Sequence, residues 1–301
     1  MKKLNRNLKA IIKIAGGKAR MLDVLMQNLP EGFVEKKFKY YECFLGGGTF
    51  GLHLLGLDKD LASRTSFCEF NFDLFNVWST AKTRGEELLN LLSSYQERHS
   101  EALFTSVRSK FTSVESVNEK IKSDPDFRLQ RAADFIYLNK TCFNGLIRYN
   151  KAGKFNSPSG RHEKPAIIDK VNLQKVSEVL NSGVKLVHDD FEEFLRLEML
   201  YGKIDSNTFV YLDPPYIPLS DTSYFAEYTP EGFGIADHER LRDLMRDLNS
   251  HGAKVLMSNS DTMLTRYLFK EFTIETILNS RSISAKSGSR GKIKELLIKN
   301  Y

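Results

Sequence analysis

Asp213-Pro214-Pro215-Tyr216 carries the clearest chemistry in the chain. A carboxylate, a rigid carbonyl and an aromatic face within four residues suit a planar exocyclic amine. Two oxygens accept its two hydrogens while the tyrosine ring stacks on the heterocycle. The paired prolines fix φ and carry no N–H, so the Pro214 carbonyl points in a set direction. A second group is Phe44-Leu45-Gly46-Gly47-Gly48-Thr49, whose glycines let backbone approach a ligand. Glu69 follows about 20 residues later, where an acid can accept from ribose hydroxyls. Gly46, Gly48 and Gly51 fit a dinucleotide-type spacing, but a strand and an acid fit other cofactors as well. No Gly-Lys-Ser/Thr loop points to triphosphate chemistry. Cys43, Cys68 and Cys142 lie far apart, so neither a zinc site nor a disulfide framework is indicated.

These groups need strands to present them. The apolar run Thr208–Leu212 reads as a buried strand ending at the tetrapeptide, and open α/β sheets bind ligands outside the carboxyl ends of strands. Lys39–Phe44 reads as a strand stopped by the glycines, Thr49 onward as a helix, and Ser66–Cys68 as a strand ending at Glu69. From about residue 80 to 165 strand signals fade. Helical patterns occupy 83–98 and 127–139, followed by a Gly- and Asn-rich stretch, Asn139–Arg161, that reads as a hairpin. The α/β rhythm then resumes, with helices near 169–181, 191–199, 237–250 and 262–269. Strands fall at 184–187, 208–212, 254–257, 272–278 and 294–300. Stretches 220–236 and 284–292 lack periodicity and read as mobile loops. The expected fold is α/β, a doubly wound Rossmann-like sheet with an inserted, mostly helical subdomain. Residues 1–80 and 166–301 form the sheet domain and 81–165 the insert.

Bulk properties narrow the field less. The 301 residues include 44 Lys+Arg against 38 Asp+Glu, leaving +6, which suits a polyanionic partner but is common without one. No apolar run approaches the ~18 residues of a membrane span, and the lysine-rich N-terminus lacks a signal-peptide core. The reading is a reduced, soluble, cytoplasmic protein. Arg281, Lys286, Arg290, Lys292 and Lys294 form a basic tract suited equally to a solvated loop or to phosphate contact.

The glycine loop and Asp-Pro-Pro-Tyr together resemble the S-adenosylmethionine-dependent amino-methyltransferases of DNA. Their order resembles the subgroup containing the Dam adenine methyltransferases. The resemblance extends through Lys13–Lys18, Asn144–Asn150, Gly153–Asn156 with Pro158, Gly160 and Arg161, Ser258-Asn259 with Asp261–Arg266, and Arg281–Ser284. It implies that Asp213 and the Pro214 carbonyl hold the amine of a flipped-out adenine, that Pro215 stiffens the loop and that Tyr216 stacks on the base. Tyr224, Phe225 and Tyr228 follow in a loop that can close over it.

For the cofactor, S-adenosylmethionine without a metal, the resemblance implies Ile14, Lys18, Phe44, Gly46, Gly48, Glu69, Asp190, Phe191 and Asp213. Ile14 stands where an aromatic residue is common, and Glu69 where Asp is usual. For double-stranded DNA it implies Lys13 and Arg148 reading guanines, and Phe143 as a wedge into the stack. Asn144, Leu146, Pro158 and His162 complete that face. These matches favour GATC. The alternatives are another sequence, the 4-amino group of cytosine, RNA, or a non-catalytic DNA-binding protein with a methyltransferase core. No obligate protein partner is indicated.

Overall fold

The computed structural model describes residues 8–14, 16–219, 232–280 and 292–301. Tyr224, Phe225 and Tyr228, together with Arg281, Lys286 and Arg290, lie outside the described residues, as does most of both stretches read as loops.

The chain groups into two compact units, one comprising residues 1–18, 46–63 and 71–188 and the other 19–45, 64–70 and 189–301. The strands, in chain order, are β1 (Lys39–Cys43), β2 (Thr65–Cys68), β3 (Lys185–Val187), β4 (Thr208–Leu212), β5 (Lys254–Ser260), β6 (Thr273–Ser280) and β7 (Lys292–Lys299). All but β3 belong to the second unit, where they run in the order β2-β1-β4-β5-β7-β6. β1 pairs in parallel with β2 on one side and with β4 on the other, and β5 continues in parallel beyond β4. Every residue of β4 is buried, as a central parallel strand covered on both faces requires, which explains its uninterrupted apolar sequence. β7 lies between β5 and β6, antiparallel to both, and β6 forms the edge. Because the chain leaves β1 for β2 on one side and later enters β4 on the other, β1 marks the reversal of strand order where such sheets bind ligands. Helices Phe191–Leu200 and Ile235–Ser250 pack on one another, and the latter on β5.

The first unit is mainly helical. Its central element is Pro125–Thr141, buried along most of its second half and packed by helices Phe72–Thr83, Gly85–Arg98, Glu101–Lys110 and Asn118–Ser123. Asp124 starts it by accepting from the Asp126 and Phe127 amides at 2.9 Å, with Pro125 in the first turn where its missing N–H costs nothing. Three helices here go beyond the sequence reading. Phe72–Thr83 is rich in aromatic and β-branched residues, while Glu101–Lys110 and Asn118–Ser123 are short and polar, so propensity and periodicity are both weak. The expected hairpin forms: Tyr149 bridges Phe155, the Asn150 amide donates to the Lys154 carbonyl and the Asn156 amide to the Arg148 carbonyl, both at 2.9 Å. Two of the loop residues, Ile235 and Ala236, prove to be the first turn of a helix, where Asp237 Oδ2 accepts from the Gly234 amide at 2.7 Å.

Candidate active site

Strand register assembles one edge of the second unit. Cys43 is level with Cys68 on one side and Leu212 on the other. Phe44, Glu69 and Asp213 are therefore the first residues past three aligned strand ends, with neighbouring strands about 4.8 Å apart. Phe44 has φ 66, a left-handed conformation costly for a side chain of its size, and it turns the chain sharply out of β1. Glu69 is buried, with 7% of its surface exposed.

Asp213 is half-buried, Pro214 buried and Pro215 exposed. Ser258 Oγ, from β5, donates to Asp213 Oδ1 at 2.7 Å and stands 3.1 Å from the Tyr211 hydroxyl. The Tyr216 hydroxyl donates to Glu295 Oε2 at 3.0 Å. Burial, with the charges of Asp213 and Glu295, holds the Tyr216 phenol well above its ordinary pKa, so it stays protonated. The Ile217 amide donates to Asn259 Oδ1 at 3.1 Å, and Ser260 Oγ donates to the Ile217 carbonyl. The end of β5 thus grips the tetrapeptide loop along its length. Of these partners, Ser258 and Asn259 were visible in the sequence only as part of a motif, and Glu295 gave no signal at all.

Beside this edge, Asp190 caps helix Phe191–Leu200: its Oδ1 accepts from the Glu192 amide at 2.9 Å and the Glu193 amide at 3.4 Å. Arg240 Nη2 reaches the same oxygen at 2.5 Å, while its Nε and Nη1 pair with Glu192 and Asp237 at 2.6 and 2.9 Å. The guanidinium carbon lies 4.8 Å from the Phe191 ring centroid, a cation–π contact. Phe44 and Phe233 approach Phe191 at 5.1 and 5.9 Å, so this ring is enclosed, with 4% exposed. Phe44, Glu69, Asp190, Phe191, Asp213 and Tyr216 all belong to this unit.

The remaining cofactor candidates belong to the first unit. Gly46 and Gly48 have φ 49 and 60, which is why glycine stands there. A Cβ on Gly47 would meet only ordinary contacts at 3.8 Å, so that position is not forced. Trp78 Nε1 donates to the Gly46 carbonyl at 2.9 Å and fixes the turn. Lys18 is buried, its ammonium donating to the Gly16 carbonyl at 2.7 Å, and the Gly17 amide donates to the Ile14 carbonyl at 3.2 Å.

The nucleic-acid candidates also fall in the first unit, on its surface. Phe143 is 56% exposed despite its apolar ring, and Lys13, Asn144, Arg148, Pro158 and His162 are exposed, with Leu146 half-buried. Backbone bonds join them: the Phe143 amide donates to the Pro158 carbonyl at 2.9 Å, and Cys142 bridges Ser159. Ser157 Oγ donates to the Leu146 carbonyl. The hairpin is tied down behind Arg148 by the Tyr149 hydroxyl, which donates to Asp73 Oδ2 at 3.2 Å. Asp73 is itself in a buried pair with Arg131 at 2.6 Å. His162 is joined less directly, through its carbonyl, 3.0 Å from His99 Nε2. An exposed aromatic beside an arginine on a rigid hairpin suits insertion between bases.

Among the described residues no helix is long and apolar enough to cross a membrane, and no cluster of three His, Cys, Asp or Glu side chains could hold a metal ion.

Comparison with known proteins identifies the family. The family model of the D12 class N6 adenine-specific DNA methyltransferases matches residues 15–283. The type II methyltransferase M1.LlaDCHI of Lactococcus lactis subsp. cremoris is 36% identical over 98% of this chain and 96% of its own length. M.MjaIII, a type II methyltransferase of Methanocaldococcus jannaschii, is 37% identical over 98% and 99%. The DNA adenine methylase of Escherichia coli K12 is 31% identical over 96% and 94%. A family match across most of the chain, and relatives of this identity along nearly all of it, leave one assignment: the chain belongs to the D12 class N6 adenine-specific DNA methyltransferases.

Proposed function

We propose that this enzyme methylates the 6-amino group of adenine within GATC in duplex DNA, on a base rotated out of the helix, by direct displacement without metal. S-adenosylmethionine, when bound, supplies an electrophilic methyl group. The donor set suits that molecule: Glu69 can accept from ribose hydroxyls, Asp190 can accept from the adenine amine, and Gly46 and Gly48 let backbone come close to the carboxylate end. Ile14, Lys18, Phe44 and Phe191 complete the contacts.

Asp213 and the Pro214 carbonyl accept the two hydrogens of the target amine, drawing its lone pair out of the ring and toward the methyl group. Orientation and a preorganised acceptor supply the rate; no covalent enzyme intermediate is needed. Pro215 stiffens the loop, and Tyr216 stacks on the flipped base. In this reading residues 81–165, together with Lys13, read the target and the remainder performs the chemistry. Lys13 and Arg148 contact guanines, Phe143 fills the gap left by the flipped adenine, and Asn144, Leu146, Pro158 and His162 line the same face. The reaction belongs in the cytoplasm, alongside DNA.

The observation that supports the reading best is the alignment of Phe44, Glu69 and Asp213 past three register-matched strand ends, with Ser258 holding Asp213. The test is radiolabelled methyl transfer to GATC and scrambled duplexes. Transfer to adenine in GATC alone is expected. Equal transfer to scrambled DNA refutes the sequence preference, label on cytosine refutes the base, and no transfer to any duplex refutes the function.

A further inference from the structure

Residues 8–14 form neither helix nor strand, so their backbone polar groups need partners from elsewhere. Two asparagine side chains provide them at Lys9 and Lys13. Asn172 Oδ1 accepts from the Lys9 amide at 2.9 Å, and its Nδ2 donates to the Lys9 carbonyl at 2.8 Å. Four residues along, Asn139 repeats the pattern at Lys13: Oδ1 accepts from the amide at 2.7 Å and Nδ2 donates to the carbonyl at 2.8 Å. Each side-chain amide acts as a one-residue strand partner.

Asn139 does one thing more. Its second Nδ2 hydrogen goes to the Gly145 carbonyl, also at 2.8 Å. Both donors of a fully buried amide are thereby committed, one to each of two loops 132 residues apart along the chain (145 − 13). The contact is close from the other side as well. Gly145 has φ 69, and a Cβ there would lie 3.1 Å from the Asn139 carbonyl oxygen and 3.3 Å from Lys13 Cβ. The turn Phe143-Asn144-Gly145 therefore sits directly against Lys13, at a separation that Asn139 sets.

We propose that Asn139 is a positioning residue for sequence discrimination, holding Lys13 in register with the Phe143–Arg148 stretch so that both meet their bases at once. This rests on the reading that those residues face DNA. Base-edge hydrogen bonds tolerate little misplacement, so a slip between the two elements weakens recognition even with every reading side chain intact.

The experiment measures single-turnover methylation of a GATC duplex and of duplexes changed at one base pair, using the full chain. Asn139→Ala should lower the cognate-to-changed ratio about tenfold, about 1.4 kcal/mol, which is the order of one good base contact. Asn172→Ala cuts two hydrogen bonds to the same segment but none to the turn, and should leave the ratio within about twofold. Gly145→Ala disturbs the junction from the opposite side and should act like Asn139→Ala, which keeps the test usable if the latter folds poorly. An unchanged ratio in both junction variants, or an equal loss in Asn172→Ala, overturns the proposal. Lys13→Ala and Arg148→Ala separate the levels. If neither alters the ratio, the DNA-facing reading itself is wrong; if they alter it and the junction variants do not, only the role of Asn139 falls.

Discussion

Replacing Asp213 by asparagine tests the site most sharply, because the surroundings dictate which way the new amide must face. Burial and the Asp213 charge hold the Tyr211 phenol well above its ordinary pKa, so it keeps its proton and donates to Ser258. Ser258 in turn spends its own hydrogen on Asp213 Oδ1. In Asp213→Asn this relay selects the amide oxygen for the Ser258 side and swings NH₂ to the place of the second carboxylate oxygen. In the proposed binding mode, NH₂ at that place opposes the target amine donor to donor. Loss of a preorganised electrostatic partner costs about 10²–10³ in rate, ~3–4 kcal/mol, and the donor clash adds to it. Ser258→Ala alone removes one charge-assisted hydrogen bond, about 1.5–3 kcal/mol, or roughly 10–100-fold if fully felt at the transition state. The double variant Asp213→Asn/Ser258→Ala is the informative one: freed from Ser258, the amide can turn its oxygen to the substrate. Removing Ser258 should then cost nothing, or restore activity up to about tenfold. Single-turnover methyl transfer by all four proteins at saturating S-adenosylmethionine measures the cycle. A Ser258→Ala penalty of the same size in both backgrounds refutes the relay, and near-normal turnover by Asp213→Asn refutes the role of the carboxylate.

Three further outcomes concern stability and reactivity. Arg131→Met leaves Asp73 buried without its guanidinium and should destabilise the protein by about 3–5 kcal/mol in urea unfolding, whereas Tyr149→Phe should cost nearer 1 kcal/mol. A loss for Arg131→Met below that of Tyr149→Phe contradicts the burial argument. His238 is fully buried, neither ring nitrogen has a partner among the described residues, and burial pushes its pKa down to about 4. Its folded pKa lies below the ordinary 6.5, so protons favour the unfolded chain: the contribution is complete above 6.5 and is lost as pH falls toward 4. Between pH 7 and 5 this amounts to about 2 kcal/mol, which His238→Phe should remove from the pH dependence of the urea midpoint. An unaltered pH dependence excludes it. Burial also raises the Cys142 thiol to about 11 and Cys43 above its usual range, so at pH 8 the native protein should react slowly with a thiol reagent at both positions. Modification as fast as in urea contradicts this.

What could be read in advance follows from where the information lies. β4 is legible because both faces are buried and its five residues form an unbroken apolar run. The tetrapeptide after it is legible because prolines, a carboxylate and an aromatic residue are local. Glu295 is not: it lies 79 residues beyond Tyr216, in a lysine-rich strand that reads as an ordinary polar edge. Asn139 is hidden for a similar reason. It looks like one polar residue at the end of an amphipathic helix, and only the fold reveals that its amide serves two loops. The helix Phe72–Thr83 escaped because its aromatic and β-branched content overrides the period, although Asn71 caps it by accepting from the Leu74 amide at 3.2 Å.

Position and aim at the active edge have separate origins. Register alone puts Phe44, Glu69 and Asp213 one residue past aligned pairs, but a strand end cannot orient the side chain that follows it. Aim comes from partners further along the chain: Ser258 on Asp213, Glu295 on Tyr216 and Arg240 on Asp190. The direction of β7 matters here. A parallel strand would present its carboxyl end at this edge, whereas antiparallel β7 presents its beginning, with Glu295 level with Ser260. That reversal brings a carboxylate beside the tetrapeptide loop. Placing an antiparallel strand beside β5 in an otherwise parallel sheet therefore shapes the site itself: it fixes the hydroxyl of the ring on which the flipped base is proposed to stack.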